Sequence, residues 1–316
     1  MTTNKYIHTA NTARTIDHCA TETLHIPSLI LMEHAAIECV NYIRPYLNRN
    51  QNIFVLCGPG NNGGDGLAIA RLLSLEDYDV VCYCPKKQSM SDVEKVQLEM
   101  IQSLQIKYTN DPHIAVEWMK SSPILIDALF GNGLSRPIEG NYRMLVEAAN
   151  QADNLIFSID IPSGIHATKG TILGCAICAD HTISLDCYKV GQWIRDGIDF
   201  CGKKTCVNIG IPNMLHKNAL DPILVLEKEW VRSIFPQRNN SSHKGIFGKA
   251  LMIGGSASMP GAISMAAKAC YHSGVGTLTL MVPNCIGDLM AIKLDVAMLL
   301  RGNCHNGVFD RSAVSL

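Results

Sequence analysis

Long apolar runs are missing from this 316-residue chain. Its longest apolar windows, such as Ala262 to Ala269, fall well short of the ~20 residues needed to cross a bilayer. No transmembrane helix and no membrane partner are therefore expected. The N-terminus lacks an apolar stretch too: Met1 to Asn11 is polar, so no secretory signal is read there. Both absences point to the cytoplasm. Charge is scarce and balanced. Asp, Glu, Lys and Arg make up 17 % of the chain, the formal net charge is −1, and no long run of Lys or Arg occurs. That leaves no electrostatic footprint for nucleic acid. There is no repeat of fixed period and no low-complexity tract. Cysteine, by contrast, is plentiful. Thirteen are present, an odd number at irregular spacing, which suits reduced, mostly buried thiols. Cys175 and Cys178 form a C-x-x-C pair, but the second pair that a zinc site needs is absent.

What is present is a 47 % hydrophobic, ordinary globular composition. Its length exceeds what one core usually serves, so two unequal domains are expected. Apolar runs of strand length stand at Ile53–Cys57, Val80–Cys84, Ile124–Ala128, Leu155–Ile159 and His181–Leu185. Helical patterns alternate with them, including Val93–Leu104 and Tyr142–Ala149. The stretch from Gly58 to Gly66 reads as a glycine-rich turn, with a helix from Leu67. Such alternation predicts an α/β fold, a parallel sheet with helices on both faces. Ile209 to Pro212 reads as closing the last strand, and a boundary is expected near residues 215–225. From Lys244 a second unit starts: strand Ala250–Ile253, Gly254-Gly255-Ser256, helix Met259–Gly274 and strand Thr277–Val282, with room for about two strands. That is small for a self-sufficient α/β domain.

Three loops follow strands directly: Gly58 onward, Gly131 to Pro137, and Pro162-Ser163-Gly164. In a parallel sheet all three lie at the carboxyl edge, where ligands bind. Gly58-Pro59-Gly60-Asn61-Asn62-Gly63 matches the dinucleotide fingerprint G-x-G-x-x-G. The second strand, however, ends in Cys84-Pro85-Lys86-Lys87, with no acid for a ribose. Backbone N–H groups at such a turn still favour anions. Asn62, Asp127 and Ser163 offer an amide, a carboxylate and a hydroxyl oxygen, a mixed set that suits a hard cation such as potassium. The same residue types also cap turns and helices. Asp160, at a strand end, is placed for acid–base work or for a turn. Lys189 reads as a phosphate complement or a solvated lysine.

These stretches resemble one family. LCGPGNNGGDGLAIARLL (56–73), IDALFGNGLSRPIEG (126–140) and SIDIPSG (158–164) are similar to the three motifs of NAD(P)H-hydrate epimerases. Asp17 and Leu31-Met32-Glu33-His34-Ala35-Ala36 add to the likeness, with Ala36 where glycine is usual. The resemblance implies a Rossmann-like three-layer sandwich over residues 8–220. It implies that this domain epimerises the R and S forms of hydrated NADH and NADPH in cofactor repair. It assigns substrate contacts to Asn61, Asn62, Gly63, Gly64 and Asp65, to Gly131, Asn132, Gly133, Leu134, Ser135, Arg136 and Pro137, and to Asp160, the catalytic residue. It assigns potassium to Asn62, Asp127 and Ser163. A homodimer is a common assembly for such folds.

Residues 243–283, HKGIFGKALMIGGSASMPGAISMAAKACYHSGVGTLTLMVP, resemble the start of the ADP-dependent NAD(P)H-hydrate dehydratase. This implies an incomplete ribokinase-like α/β segment over 226–316, with Ala262 as a substrate contact. That family's later G-S-G-D motif is not found before Leu316. Dehydration at the expense of ADP, a lyase activity, is therefore not expected of this chain alone, and ADP would serve only a complete domain.

Overall fold

The structure, a computed structural model, describes residues 6–86, 88, 90–220, 222–226, 228–235 and 237–314. The chain divides into two compact units, Met1–Glu227 and Lys228–Leu316.

The first unit runs β1 (Tyr6–His8), α1 (Ala10–His18), α2 (Ser28–Ile43), β2 (Asn52–Cys57), α3 (Asn61–Leu75), β3 (Asp79–Tyr83), α4 (Asp92–Ser103), β4 (Lys107–Thr109) and α5 (Pro112–Ser121). It continues with β5 (Ile124–Ala128), α6 (Gly140–Gln151), β6 (Leu155–Ile159), β7 (His181–Leu185), β8 (Tyr188–Lys189), α7 (Gly197–Phe200), β9 (Lys203–Val207), α8 (Asn213–Lys217) and β10 (Ile223–Leu224). Among the described residues the main sheet has seven strands in the order β4-β3-β2-β5-β6-β7-β9. Every neighbouring pair is parallel.

Side chains alternate across this sheet, as the pleat requires. Ile53, Val55 and Cys57 pack with α2, α3 and α4 on one face. Phe54 and Leu56 pack with α5 and α6 on the other. Strands covered on both faces read as unbroken apolar runs, which is why β2, β5 and β6 were visible in the sequence. Burying each large aliphatic side chain contributes about 1.5–3 kcal/mol. The chain builds outward from β2 to β3 and β4, then returns to the other side at β5. The topological switch point therefore lies between β2 and β5, where a crevice opens beyond the strand ends.

Several expectations needed correction. The helix after β2 begins at Asn61 rather than Leu67, and Gly63, Gly64 and Gly66 are buried within it. β4 and α5 were not foreseen: β4 is a three-residue edge strand, and Asp111 caps α5 with Pro112 in its first turn. The last strand of the main sheet is Lys203–Val207, and residues 209–212 form no strand. A small second sheet, β10-β1-β8, joins the two ends of this unit.

The second unit holds α9 (Lys228–Ile234), β11 (Lys249–Ile253), α10 (Pro260–His272), β12 (Thr277–Pro283), α11 (Gly287–Lys293) and β13 (Met298–Gly302). Its parallel sheet has three strands, β11-β12-β13, not two. The third, β13, lies beyond the strands read from the sequence. Leu278, Leu280 and Val282 are buried with Ile263, Ala267 and Met290. On the sheet's other side Leu251, Ile253, Met298 and Leu300 are exposed, although parallel sheets are usually covered on both faces.

Candidate active site

A cleft of about 670 Å³ opens at the switch point in the first unit. Asn61, Asn62 and Asp65 reach it from the start of α3, residues 131–136 from the loop after β5, and Asp160 from the end of β6. Arg14 and Asp17 of α1 and Lys189 of β8 add further charge to its lining. Pro137, by contrast, is not among the lining residues; it packs beside Gly174. Gly63 and Gly64 do not line the cleft either. A Cβ at Gly63 would meet the Gly58 carbonyl oxygen, and one at Gly64 would meet Met32. These glycines are there for close packing. Ala262 lies in the second unit, exposed on the first turn of α10.

Asp127 ties two loops together. Its fully buried carboxylate accepts from Leu129 N–H (3.2 Å), Ser158 Oγ (2.7 Å), Ser163 N–H (2.9 Å) and Ser163 Oγ (2.5 Å). Burial pushes its pKa up, and these hydrogen bonds hold part of that shift back. Ser163 Oγ also accepts from Phe130 N–H at 2.8 Å. Asn62 lies against Gly131, and its Nδ2 is buried without a hydrogen-bond partner. Asn62, Asp127 and Ser163 are thus linked through the 128–131 segment.

Asp160 sits one residue past β6 with φ of 69°. Its backbone N–H donates to Ile183 O (2.7 Å), and its carbonyl accepts from Gln192 Nε2 (2.8 Å). Its side chain accepts from Asn132 N–H at 3.2 Å and pairs with Lys189 Nζ. Lys189, read from sequence as a phosphate complement or a solvated lysine, is buried. Nζ also donates to Leu185 O (3.0 Å) and Cys187 O (2.9 Å). Burial works against the ammonium, but Asp160 beside it offsets that and leaves its pKa above the usual lysine range. One weak signal was available: a lone lysine between Tyr188 and Val190 directly after a buried strand.

Glu94 was likewise missed as a site support. Ser91 and Glu94 form a capping box at the start of α4, a pattern legible as S-x-x-E. The Glu94 carboxyl also accepts from Gly60 N–H at 2.8 Å, so it pins the glycine loop. Burial raises it to about 7, against the pull of the Gly60 and Ser91 N–H groups.

The segment bearing Lys189 is braced from behind. His8 pairs with Lys189 in the small sheet. His8 Nε2 lies 3.2 Å from His216 Nδ1, and His216 Nε2 lies 3.0 Å from Asp186 Oδ2. Burial, then the neighbouring His216, lowers the His8 pKa to about 4. Its folded pKa is thus below its unfolded one, so this contribution is present above pH ~6.5 and lost as pH falls toward 4. We expect the wild type to lose about 2 kcal/mol more than His8→Gln between pH 7 and 4.5 in denaturant melts, after allowing for partial solvent screening. Parallel curves for the two proteins would refute this.

A family model described as YjeF-related protein N-terminus matches residues 28–191. The NAD(P)H-hydrate epimerase of Limosilactobacillus reuteri is 34 % identical over 217 residues, which is 68 % of this chain and 98 % of that protein. The chain belongs to the NAD(P)H-hydrate epimerase family. A second relative in that family, the bifunctional NAD(P)H-hydrate repair enzyme of Moorella thermoacetica, is 31 % identical over 304 residues. That alignment covers 93 % of this chain but 57 % of the relative, so the chain spans little more than half of that length. The crystal structure of yeast ynu0 (YNL200c) superposes with a TM-score of 0.57 at 22 % identity, over 75 % of this chain and 96 % of that one. That likeness shows the fold alone. Among the described residues no helix is long and apolar enough to cross a membrane.

Proposed function

We propose that the first unit interconverts the R and S epimers of hydrated NADH and NADPH. The observation that carries this reading is the buried Asp160–Lys189 pair facing the cleft of an epimerase-family fold. The hydrated carbon is a hemiaminal beside the ring nitrogen. Removing the hydroxyl proton lets the carbon–nitrogen bond open to an aldehyde, and closure on the other carbonyl face inverts the centre. Asp160 holds that proton in transit, and Lys189 and Asn132 orient its carboxylate. The N-terminus of α3 and the 131–136 loop receive the nucleotide's anionic part. An ordinary NAD-dependent oxidoreductase is disfavoured, because the end of β3 carries no acid for a ribose.

Asn62, Asp127 and Ser163 offer potassium one amide oxygen, one carboxylate and one hydroxyl, on the first turn of α3 and the ends of two neighbouring strands. Bound there, the ion would neutralise phosphate charge and steady the loops. The second unit, on its resemblance, represents part of a dehydratase domain, and assembly as a homodimer completes the proposal. The test is a chiral separation of hydrated NADH epimers incubated with the protein, with and without potassium. Enzyme-dependent equilibration is expected. Nucleotide binding without turnover would replace this reading with a non-catalytic module.

A further inference from the structure

The family resemblance gives Asp65 a substrate contact, and the epimerase reading above gives its carboxyl no chemical task. Asp65 stands on the second turn of α3, is 7 % exposed, and lines the cleft that Asp160 also lines. Among the described residues its side chain has no hydrogen bond and no ion pair. A buried, unpaired carboxyl escapes its desolvation cost by keeping its proton. The groups around it favour this. Cys39 approaches from α2, Asp17 from α1 and Asp160 from the end of β6, whereas the nearby cation, Lys189, is committed to Asp160. Burial, then Asp160 and Asp17, push the Asp65 carboxyl well above the ordinary range. Of the three carboxyls that line the cleft, Asp17 is exposed; Asp160, held by an ammonium, and Asp65, buried and unpaired, form a base and an acid.

We propose that Asp65 is a second catalytic residue, the acid that protonates the ring nitrogen as the hemiaminal opens. This rests on the epimerase reading. In the opening step the hydroxyl proton passes to the Asp160 carboxylate and the C–O bond becomes a carbonyl. The C–N bond breaks, and its electron pair takes the Asp65 proton. The chain end then rotates. In the closing step Asp65 recovers the N–H proton, nitrogen attacks the other carbonyl face, and the oxygen takes its proton back from Asp160. Both residues return to their starting protonation states, and nothing is oxidised or reduced.

The test compares Asp65→Asn, Asp65→Glu and Asp160→Asn with the wild type in the chiral epimer assay. Asp65→Asn is expected to lower kcat about 10²- to 10⁴-fold. Its affinity for tetrahydro-NADH, which lacks the hydroxyl, should stay within threefold in an equilibrium titration. Its thermal midpoint should hold or rise, because an isolated buried carboxyl is removed. Asp65→Glu should regain part of kcat. Wild-type kcat should decline at high pH as Asp65 loses its proton, and the residual rate of Asp65→Asn should lack that limb. A wild-type kcat in Asp65→Asn, or a loss confined to KM, overturns the proposal. If Asp160→Asn is then inactive, the epimerase reading stands without Asp65. If both variants keep full activity, the site reading falls as well.

Discussion

Asp160→Asn is expected to cut epimer interconversion about 10²- to 10⁴-fold, the range of positioned acid–base help, while substrate affinity changes little. Asparagine is the apt replacement because Asp160 has φ of 69°, a left-handed conformation that Asn tolerates and most residues do not. The variant keeps the shape and the acceptor for Asn132 N–H, but it can no longer take a proton. It also leaves Lys189 buried without its counter-charge, and breaking such a pair costs about 3–5 kcal/mol. Lower stability alone could mimic lost catalysis, so Lys189→Met is added to form a double-mutant cycle. The double variant, with both charges gone, should recover much of the melting temperature. It should recover none of the rate. A return of rate in step with stability would show that Asp160 only holds the fold. Wild-type kcat in Asp160→Asn would remove it from the mechanism.

How far the sequence could reveal this site depends on the range of the interaction. β2, β5 and β6 were legible because a strand covered on both faces is an apolar run in any context. Loops that follow those runs were legible for the same reason, which brought Asn62, Asp127 and Asp160 to one edge. β4 was not, because a three-residue edge strand with Lys107 and Tyr108 exposed carries no periodic signal. The burial of Lys189 left only a weak trace for a different reason. Its partner is 29 residues away, and only the fold turns a lysine after a strand into a buried ammonium. The His8–His216 contact spans 208 residues and has no local trace at all. The second unit's third strand, β13, was not read because its pairing with β12 decides its conformation.

The glycine loop was legible as a motif and misread in structure, and Gly63→Ala tests the corrected view. A turn would need Gly63 for backbone freedom. A helix needs it for space. An ideal Cβ at Gly63 falls 1.8 Å from the Gly58 carbonyl oxygen and 3.0 Å from Glu94 Oε1. Gly58 cannot retreat: its N–H is held by Ala128 O at 3.1 Å, and its own Cα faces Leu129 O. The methyl therefore has to lift the first turn of α3 away from β5, which displaces Asn62 and Asp65 together. Overpacking of this kind costs about 3 kcal/mol, well beyond the gain of up to ~1 kcal/mol that alanine brings to a helix. Gly133→Ala is the matched control, since nothing lies within 4 Å of its Cβ position. We expect Gly63→Ala to lower the denaturant midpoint sharply and abolish epimerisation, with Gly133→Ala leaving the midpoint unchanged. A Gly63→Ala protein with wild-type midpoint and rate would mean that the helix does not begin at Asn61.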